Sequence, residues 1–197
     1  MKKNFYFSEK MGYFAKKIKA MKAIYILVLI TMTSFWVSAQ DAEKVKWYTI
    51  EEAQKLNAAA PRKIMIDLYT DWCGYCKKMD AETFNHPEIA RYINKNFYPV
   101  KFDAESSSPI KFGEQTFVNQ RAVGARKSTH QFATALRVSG YPSVAYFTGN
   151  FELIGVVPGF QTPDQIEPLL HFIVDDKFKN TNFEDYQKTF VSELKKK

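Results

Sequence analysis

Two cysteines and three histidines in 197 residues leave little room for metal chemistry. Zinc takes four ligands from such residues. No second Cys-x-x-Cys exists, and His86, His130 and His171 are scattered, so no metal site is expected. No cysteine lies near residues 37–40, which excludes a lipid anchor attached through a cysteine there. Charge of one sign is also scarce once the first residues are set aside. The formal net charge is +7, but residues 1–39 carry seven lysines against Glu9, and the remainder is almost neutral. That balance excludes the electrostatic footprint of a nucleic-acid binder. No internal repeat is present, and the 46% apolar content suits one domain with an ordinary core.

What is there begins with a leader. Met21-Lys22 is a short basic start, Ala23 to Val37 is uncharged and apolar, and Val37-Ser38-Ala39 offers the small residues of a cleavage site. The expectation is export with cleavage near Ala39/Gln40, hence a periplasmic or otherwise secreted protein, with Met21 an alternative start. The other reading of Ala23–Gln40 is an uncleaved membrane anchor, the one case in which a membrane partner is expected.

Beyond the leader the pattern reads as one domain over 40–178 with a C-terminal helix over 179–197. Thr49-Ile50-Glu51-Glu52 is a capping-box pattern opening a helix that runs to Pro61. Lys63–Tyr69 has the length and apolarity of a strand buried on both faces, and a helix opens at Cys76. A helix restarts at Asn85-His86-Pro87-Glu88, followed by a strand over Phe97–Asp103. The segment 105–128 reads as an insertion with a small hairpin at Ile110–Val118, and Thr129–Val138 as a helix. Ser143–Thr148 and Phe151–Val157, split by Gly149-Asn150, read as an antiparallel pair. Thr162-Pro163-Asp164-Gln165 caps a helix through Val174, and Thr181-x-x-Glu184 caps a last one reaching Lys195-Lys196-Lys197. The fold class is α/β, a central mixed sheet flanked by helices.

Cys73-Gly74-Tyr75-Cys76 carries the chemistry. Two cysteines at this spacing close a disulfide within one turn, too small a loop to serve stability. The positive end of the helix favours a thiolate on the first. Cys73 is therefore expected to be the exposed attacker and Cys76, one turn deeper, the resolver. The pair is itself the redox group, with no cofactor expected. Asp67 lies in an apolar strand, where burial raises a carboxyl pKa, and reads as a proton acceptor for Cys76 or as a strand-end aspartate bound to backbone.

Asp67-Leu68-Tyr69-Thr70-Asp71-Trp72-Cys73-Gly74-Tyr75-Cys76-Lys77-Lys78 strongly resembles the strand–CxxC–helix segment of the thioredoxin superfamily, and Tyr141-Pro142 resembles its cis-proline loop. Gly159 stands where the family usually has a glycine. The resemblance spans roughly Val45 to Asp175. It implies a thioredoxin fold and a thiol–disulfide oxidoreductase that reduces, forms or exchanges protein disulfides. It also implies a cis Tyr141–Pro142 bond, a substrate groove lined by Trp72, Gly74, Tyr75, Tyr141 and Pro142, and Lys101 as the neighbour of Asp67. The partners so implied are protein or peptide disulfides and a thiol protein that donates or accepts electrons, with the chain a monomer. Gly74-Tyr75 departs from the Gly-Pro of reducing thioredoxins and is similar to the pair in periplasmic isomerases, whose dimerisation domain this chain lacks. Other readings are a redox-inactive binding module, against which the intact Cys73 and Cys76 argue, and a copper-delivery protein, for which no histidine is spaced beside the loop.

Overall fold

The computed structural model describes residues 43–120 and 128–194; the leader, its cleavage site and the terminal lysines lie outside them. Helix α1, Ile50–Ala59, starts where the capping box places it: Thr49 Oγ1 accepts from the Glu52 N–H, and the Glu52 carboxylate accepts from the Thr49 N–H. Strand β1 is Lys63–Tyr69. Helix α2, Gly74–Met79, widens into a π turn over Asp80–Phe84. Helix α3, Pro87–Asn96, starts with proline in its first turn. Strand β2 is Phe97–Asp103. The β1–α2–α3–β2 run is a crossover, so β1 and β2 pair in parallel, with Asp67 opposite Lys101.

The hairpin β3, Ile110–Phe112, and β4, Gln115–Phe117, turns at Gly113, whose φ of 59° suits glycine. Helix α4 is only Gln131–Ala135, shorter than the 129–138 expected. His130 caps its start, and Arg137 takes a left-handed φ of 56° that ends it. Strands β5, Ser143–Phe147, and β6, Leu153–Pro158, are antiparallel neighbours as expected, but not across a two-residue turn. The connection runs from Thr148 to Glu152, Phe151 adopts φ 64°, and the Gly149 carbonyl accepts from Asn57 Nδ2 at 2.6 Å. A side chain at Gly149 would stand 3.2 Å from the Arg62 carbonyl, so this turn is held by α1 and the start of β1. Helix α5, Pro163–Val174, has a capping box between Thr162 and Gln165. The last helix, α6, corrects the expectation: it is Phe183–Thr189, capped by Asn182 rather than Thr181, and it stops well short of the lysines. Asn182 Oδ1 accepts from the Asp185 N–H at 2.9 Å, and that bond fixes the start one residue later.

The sheet order is β2-β1-β5-β6, with β1 antiparallel to β5. Period-two alternation along β1 divides the core. Ile64, Ile66 and Leu68 meet Phe102, Phe132 and the hairpin residues Ile110 and Phe117 on one face. Met65 meets Met79, Phe84, Ile93, Ile166 and Leu170 on the other. Asp67 is two residues from Met65 and shares its face, under α2. Phe132 stands in edge contact with Phe102 and Phe117. Each such pair adds about 0.5–1.5 kcal/mol beyond area burial, and this ties the 105–128 insertion to the sheet. Among the described residues, no helix is long and apolar enough to cross a membrane.

Candidate active site

Cys73 sits at the N-cap of α2 and is joined to Cys76 by a disulfide. The loop from β1 is turned by the Cys73 N–H donating to the Thr70 carbonyl at 3.1 Å. The Cys76 N–H donates to Cys73 Sγ at 3.0 Å, so the helix start addresses the first sulfur with a backbone donor. The expected exposure of Cys73 is corrected: it is 5% exposed and Cys76 2%. The turn into α2 tucks the disulfide down, while Trp72 and Tyr75 stand 61% and 65% exposed beside it. What separates the two cysteines is the backbone donor on Cys73 Sγ, not access to solvent.

In β1, six residues before Cys73, Asp67 is 1% exposed. Lys101, brought opposite by the parallel register, donates to Asp67 Oδ2 at 2.7 Å and also contacts Asp80 Oδ1 from the π turn. Asp67 Oδ1 is buried and has no hydrogen-bond partner among the described residues. Burial dominates, and Lys101 offsets it only in part, so the Asp67 pKa is pushed up to about 6. Burial works against the Lys101 charge, but Asp67 and Asp80 outweigh it and hold the ammonium above its ordinary range. Lys101 also lies over the rings of Trp47, Tyr69 and Phe84, at 5.0, 5.1 and 5.6 Å from their centroids. Asp80 was missed in the sequence. It sits four residues after Cys76 in a polar helix face, and nothing local says that a π turn aims it at Lys101.

The Tyr141–Pro142 bond is cis, and the Pro142 carbonyl accepts from the Gly159 N–H at 2.8 Å, with Gly159 at φ 92°. Two aromatic pairs stand at the site. Trp72 meets Tyr141 edge-on with centroids 6.1 Å apart, and Tyr75 lies 6.3 Å from Phe160, which the sequence did not single out. Lys78 extends over Phe160 at 4.8 Å. Gly74 opens α2, and a side chain there would meet no atom within 4 Å. Trp72, Gly74 and Tyr75 are thus together by chain order, and the cis-proline loop brings Tyr141 to them across the sheet.

The arrangement provides a cysteine couple with a backbone donor on one sulfur and, in the strand that leads to it, a carboxyl whose pKa burial raises to about 6. It is suited to thiol–disulfide exchange. The family model for a thioredoxin-like domain matches residues 50–173. An uncharacterized protein of Archaeoglobus fulgidus is 27% identical over 121 residues, covering 61% of this chain and 91% of that protein. The thiol:disulfide interchange protein DsbD of Pectobacterium atrosepticum is 25% identical over 112 residues, 56% of this chain and 16% of that protein. Its counterpart in Haemophilus ducreyi is 41% identical over 51 residues, 26% of this chain and 9% of that protein. The chain therefore spans less than a fifth of the length of these two interchange proteins. Among solved structures, a thioredoxin-fold protein from Helicobacter pylori superposes with a TM-score of 0.53 at 19% identity, covering 65% of this chain and 83% of that one.

Proposed function

The chain belongs to the thioredoxin-like domain family, and from that premise we propose that it is an exported thiol–disulfide oxidoreductase exchanging disulfides of polypeptide clients through Cys73 and Cys76. The observation that carries this is the pair closed at the start of α2 with the Cys76 N–H on Cys73 Sγ. In the reduced protein the Cys73 thiolate attacks a client disulfide, forming a Cys73–client bond and releasing one client thiolate. Cys76 then gives its proton toward Asp67 and attacks the Cys73 sulfur. The second client thiolate leaves and the Cys73–Cys76 disulfide forms. Each turn moves two electrons and two protons to the client, and a thiol protein of opposite poise restores the dithiol. The cysteine pair carries the electrons itself, with no further cofactor, and Trp72, Gly74, Tyr75, Tyr141 and Pro142 line the groove for an extended client. The likeness of part of the chain to thiol:disulfide interchange proteins supports exchange. Direction follows from the Cys73–Cys76 potential against that of the compartment.

The test is turnover: the purified chain, recycled by dithiothreitol, is expected to reduce insulin at least about a hundredfold faster than dithiothreitol alone. A rate equal to the thiol background would refute the reading. Export is tested separately. N-terminal sequencing of the mature protein from the cell envelope is expected to begin at or near Gln40. A mature protein that begins at Met1 in the cytoplasm would refute it.

A further inference from the structure

One amide gathers both ends of the insertion beside the groove. Asn119 Nδ2 donates to the Glu105, Ser106 and Ser128 carbonyls at 3.3, 2.8 and 2.9 Å, and its Oδ1 accepts from Ser128 Oγ at 2.5 Å. These carbonyls lie at the two ends of the insertion, so a single side chain ties them together. The first end contacts the groove directly: Glu105 Oε1 accepts from Trp72 Nε1 at 3.1 Å. Trp72 in turn meets Tyr141 edge-on, with ring centroids 6.1 Å apart. A second pin stands just after Ser128. Buried His130 donates from Nε2 to the Ser108 carbonyl at 3.1 Å, and its Nδ1 accepts from the Phe132 N–H at 3.1 Å.

We propose that Asn119 is a positioning residue for client recognition: by clamping Glu105–Ser106 to Ser128 it fixes Trp72 and Tyr141 as one rigid wall of the groove for polypeptide disulfides. This rests on the oxidoreductase reading. Trp72 and Tyr141 are large, half-apolar contact surfaces that bind an extended segment only if their spacing is kept. Cys73 and Cys76 are held by α2 and β1 instead, so loosening the clamp weakens docking and leaves the sulfur chemistry alone. A small disulfide, which needs no wall, is insensitive to it.

The experiment compares insulin with 5,5′-dithiobis(2-nitrobenzoate) as substrates of the full chain. Asn119→Ala is expected to raise KM for insulin about fivefold or more, the equivalent of one net hydrogen bond, with kcat and the small-disulfide rate within about twofold of the parent. Glu105→Ala, which removes the acceptor of Trp72 Nε1, is expected to move KM in the same direction, and Glu105→Gln, which keeps an acceptor oxygen, to restore it. The Glu105 pair decides the matter even where Asn119→Ala does not fold. An unchanged insulin KM, equal losses on both disulfides, or no rescue by Glu105→Gln would overturn the proposal while the oxidoreductase reading stands. A parent chain that turns over neither disulfide would overturn that reading, and this inference with it.

Discussion

Cys76→Ser is expected to accumulate a covalent mixed disulfide with its client, and Cys73→Ser is not. At the N-cap of α2, Cys73 Sγ receives the Cys76 N–H at 3.0 Å, and the orphan donors of the first turn stabilise negative charge there. Cys76, inside the helix and 2% exposed, lacks that position. Attack is therefore expected to start at Cys73, and without Cys76 the first product would have no internal thiol to resolve it. Both variants should lose more than about a thousandfold in insulin turnover, because each removes one of the two bonds that must form in sequence. The readout is non-reducing electrophoresis after mixing with a disulfide client, together with alkylation of the reduced parent. Labelling of Cys76 before Cys73, or full turnover by either variant, would show that the division of labour is wrong.

The second large effect is expected at Asp67. Its pKa is about 6 in the fold against 3.8 for the free side chain, with burial as the main cause and Lys101 acting in opposition. Between these values the folded chain holds a proton that the unfolded chain has released. The stability this supplies is complete below about pH 4 and is lost as pH rises through about 6. The difference between the two values corresponds to about 3 kcal/mol. Asp67→Asn is expected to recover about 1–3 kcal/mol at neutral pH, measured by denaturant unfolding, and to show little of the fall between about pH 4 and about pH 6.

Exchange should suffer as stability gains. A carboxylate accepts the Cys76 proton only when ionised, so parent turnover rises through about pH 6, and Asp67→Asn should lose that inflection and about a hundredfold in rate. Turnover with the same pH profile in both proteins between about pH 5 and about pH 8 would exclude Asp67 as the proton acceptor. Lys101 keeps Asp80 as a partner in the variant, so the loss is assigned to the missing base and not to an unpaired ammonium.

The bounds of β1 and β2, the capping boxes of α1 and α5, and the position of the cysteine pair were legible in the sequence. Each is set by interactions within a few residues: apolar runs of strand length, a Thr with Glu or Gln three residues on, two cysteines at one-turn spacing. The pairing of Asp67 with Lys101 and the cis Tyr141–Pro142 bond were legible only through the resemblance, since no local preference dictates either. Where local signals competed, they misled. Thr181 and Asn182 both suit a cap, and Gly149-Asn150 suits a tight turn that Asn57 and Arg62 hold in a longer form.

Only the tertiary structure decided the rest of the site. Asp80 reaches Lys101 because the π turn re-aims a helix face. Cys73 is only 5% exposed although it stands at a helix start. The insertion reaches Trp72 through Glu105, whose carbonyl and that of Ser128 both accept from the Asn119 amide. By itself the sequence determined which residues can do redox chemistry, because that depends on side-chain type and on spacing along one helix turn. Their exposure, their proton partners and the wall that a client meets depend on which distant groups share one face of the sheet, and only packing the helices and the insertion against that sheet determines this.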